Sequence, residues 1–145
     1  MISLVALGAV ILAPPARADY ATSAQALQQA CEALIAPPSP MPGPPPPIPY
    51  GWPTDQDRYQ QEQWRSQADA AIAQGAAGDN CVKVLREINV QADGSAYCIQ
   101  TGVTYGQEAR IFLAYAYRNP QYLNLGNTTV VVAAMAEAFP CVRPP

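Results

Sequence analysis

The fold class is decided by the stretch from Thr104 to Pro120, T-Y-G-Q-E-A-R-I-F-L-A-Y-A-Y-R-N-P. It opens with a T-x-x-Q capping box, in which the side chains of Thr104 and Gln107 satisfy the free N–H groups of a helix start. Apolar residues then recur at helical spacing as far as Arg118. Asn119 precedes a proline and is therefore disfavoured in the helical conformation. The stretch predicts one α-helix with defined ends.

A second helix is predicted immediately downstream, in N-T-T-V-V-V-A-A-M-A-E-A-F. Asn127 serves as its N-cap, and Pro140 follows its last residue, Phe139. The β-branched triplet at residues 130–132 is also compatible with a short strand. We favour the helix, because the alanine-rich sequence continues directly and the chain offers no second strand as a partner.

The first two thirds of the chain contain further helices. Ser23 is predicted to cap a helix over residues 24–35, and Thr54 starts another over residues 55–74. The sequence Gly75-Ala-Ala-Gly78 is predicted to end that second helix. A shorter third helix then begins at Asp79-Asn80, with an apolar stripe of Cys81, Val84, Leu85 and Ile88. The expected fold is an all-α domain of four or five helices.

A proline-rich segment separates the first two helices. Ten of the seventeen residues at positions 37–53 are proline, a composition that favours the polyproline II conformation. One interpretation is a strip that docks into an aromatic groove of a partner, with Tyr50 and Trp52 as anchors. The other is a stiff surface excursion between two helices, which we favour because proline-rich composition alone is a weak signal. A spanning role between envelope components stays open.

The amino terminus indicates export. Residues 2–12 form an uninterrupted apolar run, too short for a bilayer, which takes about 20 residues, but suited to a signal peptide. Ala16-Arg17-Ala18 then provides a signal-peptidase site before Asp19. The alternative is a buried N-terminal helix, which Pro14-Pro15 would end. We predict a signal peptide at residues 1–18 and a mature domain composed of a first helix (19–36), the proline-rich excursion (37–53) and the remaining helices (54–145).

Composition excludes several classes of function. The 145 residues include no histidine, so the Ser-His-Asp and Cys-His arrangements and imidazole metal ligands are excluded. The net charge of -3 argues against nucleic-acid binding, which needs a clustered basic face. The possible carboxylate pairs are better explained as a solvated helix face; they are Asp55 with Asp57 and Glu62 with Asp69. We expect no enzyme, no cofactor and no metal.

The four cysteines are predicted to form two disulfides. Their number is even, and an exported protein folds in an oxidising compartment. A zinc site is disfavoured because no C-x-x-C pair exists, and free buried cysteines would be the expectation in the cytosol. If the last two helices form an antiparallel hairpin, Cys98 and Cys141 lie at the same end of it. The remaining pair is then Cys31 with Cys81, which ties the first helix to the third.

The carboxy-terminal third resembles the Rap/Tai group, the periplasmic immunity proteins that neutralise type VI secretion amidases. Residues 98–107, C-I-Q-T-G-V-T-Y-G-Q, are similar to the C-I-P-x-G-V-T-x-x-Q signature of that group. Asn119-Pro120 and a final A-x-A-F-P-C at residues 136–141 follow in the same order. Three features depart from the group: Gln100 replaces the usual proline, no Gly-Tyr follows Cys81, and the proline-rich segment is unusual.

The resemblance implies a helical, usually dimeric periplasmic protein that inhibits a peptidoglycan amidase by occluding its active site. It implies a protein partner and no stable membrane insertion once the signal peptide is removed. The competing interpretation is a periplasmic acid-stress chaperone, or another exported helical protein that binds an unknown partner. For surface contacts the exposed loops are the default candidates. The predicted contact residues are Gln91, Asp93, Ser95, Tyr97, Gln121 and Tyr122.

Overall fold

The computed structural model of the chain describes residues 23–47, 51 and 53–141. The predicted signal peptide, Tyr50 and Trp52 lie outside the described residues. The described part contains four α-helices: α1 (Ala24–Ile35), α2 (Asp55–Ala92), α3 (Tyr105–Arg118) and α4 (Asn127–Ala138), with a short 3-10 helix (Pro120–Tyr122) before α4. It contains only isolated β-bridges and no strand, so the all-α prediction is confirmed. Nor does any helix in it have the length and apolarity to cross a membrane.

The helix starts follow the capping rules. Ser23 Oγ accepts from the backbone N–H of Ala26 at 3.2 Å. The predicted capping box of Thr104 with Gln107 is formed, and Thr54, the predicted start of the second helix, forms another with Asp57. The triplet at residues 130–132 is helical, as favoured above. One detail differs: Gly126, and not Asn127, is the N-cap residue of α4.

Helix α2 corrects the prediction of a break at residues 75–78. It continues through both glycines as one helix of 38 residues, so the predicted third helix is its second half. Each glycine costs about 1 kcal/mol relative to alanine, but the surrounding residues are mostly good helix formers and no proline interrupts them. The buried stripe of the second half begins at Gly78 itself and continues through Cys81 and Leu85 to Ile88. Burial against α1 therefore starts at the second glycine and stabilises the helix there.

Gly78 has a packing role in this continuation. A Cβ added at Gly78 would lie 3.4 Å from the Cα atom of Leu34, so α1 approaches α2 closely at this point. Three residues further along, Cys81 bonds to Cys31, with their Cα atoms 5.0 Å apart. A small residue and a disulfide thus fix the same crossing of α1 over α2.

The four helices enclose one core, and α1 packs along both α2 and α3. Among the described residues the core is apolar apart from the carboxylate of Glu108 and the hydroxyl of Tyr97, which meet at the half-buried Asn89. The largest fully buried side chains of the core are Tyr97, Phe112, Leu27, Leu85, Met135, Val130 and Val131.

Both predicted disulfides are present, Cys31–Cys81 and Cys98–Cys141, and no cysteine is free. The contacts around the second bond show how the end of α4 is held. Arg118 forms an ion pair with Glu137 at 2.8 Å, which joins the C-terminal turns of α3 and α4. Cys98 reaches Cys141 because its N–H donates to the carbonyl of Phe139 at the end of α4.

The described first part of the proline-rich segment, residues 37–47, lies on the surface of α2. Residues 37–47, which we call the strap, run back along the first half of α2 in the direction opposite to the helix. Only Ala68 is buried in α2 before Gly78, so this half of the helix projects beyond the four-helix core and has the strap as its main tertiary contact. This is the surface excursion that we favoured, held against the helix by side-chain hydrogen bonds.

Candidate protein-binding surface

The loop that joins α2 to α3, residues 93–104, is held in one conformation by its own hydrogen bonds. The Asp93 carboxylate accepts from the N–H of Gly94 at 3.0 Å and from that of Ile99 at 2.9 Å. The N–H of Gly94 also donates to the carbonyl of Tyr97 at 2.7 Å. Gly94 has φ +78°, in the left-handed region that favours glycine. The first half of the loop is thus a closed turn around Asp93.

A buried polar cluster lies beneath this turn. The Tyr97 hydroxyl donates to Asn89 Oδ1 at 2.7 Å, and Asn89 Nδ2 donates to Glu108 Oε2 at 2.8 Å. Tyr97 is 0% exposed and Glu108 is 3% exposed. Because Asn89 belongs to α2 and Glu108 to α3, the cluster connects both helices with the loop between them.

Burial sets the protonation of this cluster. Loss of solvent raises the pKa of Glu108, and the negative charge of Asp93 raises it further, while the hydrogen bond from Asn89 acts in the opposite direction. Burial, followed by the charges of Glu108 and Asp93, raises the pKa of Tyr97 to about 12. The phenol therefore stays protonated and keeps donating to Asn89. Neither of the ion pairs found in the described residues involves Glu108.

The second half of the loop is anchored to α4. The N–H of Cys98 donates to the Phe139 carbonyl at 2.9 Å, and the Cys98–Cys141 disulfide adds a covalent link at the same place. The outward-facing residues of the loop are exposed and mostly small or polar: Ser95, Ala96, Gln100, Thr101 and Gly102. The loop is therefore a rigid, exposed polar surface, which loses little conformational entropy when it binds a partner.

The structure separates the predicted contact residues into two groups. In the first, Gln91, Asp93 and Ser95 lie at the end of α2 and the start of the loop, all exposed. Tyr97 belongs to the same stretch of sequence but is fully buried, so its choice as a surface residue is wrong. Its ring enters the core because its hydroxyl finds Asn89 there as a buried acceptor.

The second group, Gln121 and Tyr122, lies on the 3-10 helix between α3 and α4. This segment is fixed to the start of α1, where the N–H of Ala24 donates to the Leu125 carbonyl at 3.0 Å. Tyr122 and Leu125, each 40% exposed, border an apolar groove of about 270 Å³. The groove is lined by Tyr115, Tyr122, Leu125, Thr129, Val130 and Ala133. The groove is a second exposed surface. It is apolar, whereas the α2–α3 loop is polar.

The carboxylates considered for catalysis have structural roles or lie in solvent. The Asp57 carboxylate accepts from the side chain and the backbone N–H of Thr54, and these two hydrogen bonds lower its pKa. Asp55 pairs with Arg58 on the exposed face of α2. Glu62 and Asp69 are exposed on the same helix. Among the described residues, no group of His, Cys, Asp and Glu side chains could hold a metal ion.

Comparison with known proteins identifies the family. The model of the Rap1a immunity proteins matches residues 23–141, which is most of the chain. The chain belongs to the Rap1a immunity protein family. No curated protein and no solved structure matches it.

Membership of the Rap1a family extends the resemblance that the sequence showed only in its last third. The match begins at Ser23, the N-cap of α1, and ends at Cys141, so it includes both disulfides and all four helices. An immunity protein acts against a toxic protein effector, and such a family points to binding and not to catalysis. With two disulfides, this Rap1a protein is an exported protein.

Sequence reasoning missed Asn89 and Glu108, although each carried a signal. Glu108 is spaced by four residues from Phe112 and by eight from Ala116, so it lies on the buried face of α3. Asn89 directly follows Ile88 on the side of α2 that turns toward α3. A buried carboxylate needs a hydrogen-bond donor nearby, and in this fold Asn89 is that donor.

Proposed function

We propose that this Rap1a family protein is a periplasmic immunity protein, which binds a type VI secretion peptidoglycan amidase and inhibits it by occluding its active site. The observation that carries the proposal is the family match over residues 23–141. The two disulfides support the periplasm as the compartment, since it permits their formation. The apolar run and the Ala16-Arg17-Ala18 site at the amino terminus support export through residues 1–18 as a cleaved signal peptide.

Within this proposal, the α2–α3 loop is the surface that meets the effector. It is exposed, polar and anchored at both ends, and so it is suited to insert into the groove of an enzyme without first becoming ordered. Of the predicted contact residues, Gln91, Asp93 and Ser95 belong to this surface.

The apolar groove at Tyr122 and Leu125 is the surface that we assign to a homodimer. Homodimers bury more apolar area than transient complexes do, and this groove has two exposed large apolar side chains on its border. Light scattering of the purified protein tests the assignment. A dimer that becomes a monomer on Leu125→Arg supports it, and a dimer unchanged by this substitution contradicts it.

The experiment that tests the function is co-expression with the product of the neighbouring gene as the candidate amidase, directed to the periplasm. We expect the amidase alone to lyse cells and the full-length chain to restore growth. The matched control is the chain from Asp19 onward without its export sequence, which should give no protection because it stays in the cytosol. Equal protection by both forms would contradict periplasmic action, and lack of protection by either would contradict the immunity function.

Surface variants test whether the α2–α3 loop is the contact with the amidase. Ser95→Arg places a large charged side chain on the α2–α3 loop, and we expect it to weaken binding of the purified amidase at least tenfold. Ser66→Arg, on the exposed face of α2, is the matched control and should leave affinity unchanged. The same loss of affinity in both variants would exclude the loop as the specific contact.

A further inference from the structure

The strap contacts α2 through carbonyl groups that recur at a regular interval. Three of its carbonyls accept hydrogen bonds from side chains of α2: Pro37 from Gln74 Nε2 at 2.9 Å, Gly43 from Trp64 Nε1 at 2.6 Å, and Pro46 from Gln61 Nε2 at 2.6 Å. The three acceptor positions differ by multiples of three. A polyproline II helix has three residues per turn, so this spacing matches its repeat, although the chain bends at Pro44, between the second and third acceptors.

The strap and the helix have similar lengths between Ser39 and Pro46. In the polyproline II conformation, the strap covers about 22 Å between Ser39 and Pro46. The α-helix covers about 20 Å between Gln61 and Gln74. The backbone N–H of Ser39 donates to Gln74 Oε1 at 2.8 Å, so this glutamine both donates to the strap and accepts from it. Strap and helix therefore match in length from Ser39 to Pro46, and Gln74 also reaches back to the Pro37 carbonyl.

The donors on α2 are of the kind that recognises polyproline II segments. Such a segment has no internal hydrogen bonds, and its proline residues lack an N–H group, so its carbonyls are free acceptors. Proteins that bind proline-rich peptides present aromatic side chains to them. Here one indole and two primary amides of α2 donate to the strap, which passes along the half of the helix that carries Ala68 and Ala71.

We infer that Gln61, Trp64 and Gln74 form a polyproline II-binding site on α2, whose occupant is the strap of the same chain. The site lies on the projecting half of α2, away from the α2–α3 loop, and the inference is independent of the proposed immunity function. Once the strap is removed, the site accepts a separate proline-rich peptide of the same conformation.

The test uses a variant of the mature protein in which residues 37–47 are replaced by a Gly-Ser sequence of equal length. The probe is the labelled peptide P-P-S-P-M-P-G-P-P-P-P, which has the sequence of the strap, and its binding is followed by fluorescence anisotropy. We expect the peptide to bind the Gly-Ser variant at least tenfold more tightly than the intact protein. In the intact protein the tethered strap competes at a high effective concentration.

Two substitutions within the Gly-Ser variant test the residues. Trp64→Phe removes the indole N–H but keeps an aromatic ring, and we expect it to weaken peptide binding about fivefold, the effect of one neutral hydrogen bond. Gln67→Leu, on the exposed face of α2, is the control and should change nothing. No binding to the Gly-Ser variant, equal binding to the intact protein, or an unchanged affinity with Trp64→Phe would each overturn the inference.

A second measurement on the intact chain avoids any dependence on how the Gly-Ser variant folds. We expect amide hydrogen exchange in residues 55–74 to become faster with Trp64→Phe than with Gln67→Leu, because a weakened strap no longer supports this half of α2. Exchange in residues 81–92 should stay the same in both. Equal exchange of residues 55–74 in the two variants would count against the strap as a ligand of this site.

Discussion

At the scale of single residues, the buried cluster of Asn89, Tyr97 and Glu108 contributes most to the shape of the α2–α3 loop. It replaces apolar contacts with a chain of two hydrogen bonds, at 2.7 and 2.8 Å, inside a core that is otherwise apolar. Such a chain stabilises one arrangement of its groups, because any other arrangement leaves a buried polar atom without a partner. The α2–α3 loop above the cluster is held in one conformation because Tyr97 belongs to both the loop and the cluster.

Removal of the Tyr97 hydroxyl should therefore destabilise the protein. Tyr97→Phe leaves Asn89 Oδ1 without its donor, and we expect the free energy of unfolding to fall by about 1 to 3 kcal/mol. Urea denaturation followed by circular dichroism measures the change. The control is Tyr117→Phe, in which the lost hydrogen bond to Glu32 belongs to a side chain that is 61% exposed and should matter little. Equal effects of the two substitutions would contradict a buried network.

The burial of Glu108 leads us to expect that the stability of the protein depends on pH. Its pKa is raised in the folded protein above the ordinary value of 4.5, so the folded state binds this proton more tightly than the unfolded state does. The resulting contribution to stability is complete below pH 4.5 and is lost as pH rises through the raised pKa. Glu108→Gln removes this decline, and we expect the variant to gain stability over the wild type as the pH increases to neutrality.

Urea denaturation at a series of pH values between 4 and 8 checks this expectation. The exposed Glu62, changed to Gln, provides the control, which should follow the wild-type curve. If the free energy of unfolding of Glu108→Gln changes with pH in the same way as that of the wild type, the pKa of Glu108 does not differ between the folded and the unfolded state.

At the scale of elements, helix α2 determines which part of the chain belongs to the core and which part projects from it. Its second half belongs to the core and its first half projects from it, and the two glycines at positions 75 and 78 lie where one half passes into the other. The two glycines differ in their surroundings. A Cβ at Gly75 would meet nothing within 4 Å, whereas one at Gly78 would touch Leu34 of α1.

This difference predicts opposite effects for two substitutions. Gly75→Ala should raise the free energy of unfolding by about 1 kcal/mol, because alanine is the better helix former and meets no neighbour. Gly78→Val should lower it by about 1 to 3 kcal/mol, because its added methyl groups force α1 away from α2. Chemical denaturation of both variants checks the signs, and Gly75→Val separates the packing effect from the helix propensity of valine. Similar losses in Gly75→Val and Gly78→Val would contradict the close approach at Gly78.

At the scale of the whole molecule, two disulfides link segments that are distant in the sequence. Their cysteines are separated by 50 and 43 residues. Cys31–Cys81 fixes α1 on α2 inside the core, while Cys98–Cys141 closes the α2–α3 loop onto the end of α4. The first disulfide thus stabilises the packing of α1 on α2, and the second stabilises the α2–α3 loop, the candidate binding surface.

We expect each bond to contribute about 4 kcal/mol to stability, the value that loop-closure entropy gives for loops of this length. The paired substitutions Cys31→Ala with Cys81→Ala, and Cys98→Ala with Cys141→Ala, test this by urea denaturation under non-reducing conditions. Wild-type protein with both bonds reduced is the reference and should be less stable than either variant. A paired variant as stable as the wild type would show that its bond does not constrain the unfolded chain.

The sequence by itself determined the all-α class, the caps at Ser23, Thr54 and Thr104, and the pairing of the four cysteines. These follow from local signals: capping residues, helical spacing of apolar residues, and the positions of helix ends relative to the cysteines. The family resemblance of the last third was likewise carried by residues that are adjacent in sequence. Local rules are sufficient for the class and the caps, because the interactions that produce them lie within a few residues of each other. The pairing of the cysteines, which are 50 and 43 residues apart, additionally required the assumption that the last two helices form a hairpin.

Only the tertiary structure decided the continuity of α2, the burial of Tyr97 and Glu108, and the position of the strap. Two glycines are a local signal for a helix end, but packing of the Gly78 face against Leu34 outweighs their cost. Tyr97 follows a turn and looks exposed in the sequence, yet it finds its acceptor, Asn89, inside the core. The strap is held by Gln61, Trp64 and Gln74, donors that belong to another element. Each of these features depends on a partner distant in the sequence, which no local pattern can identify.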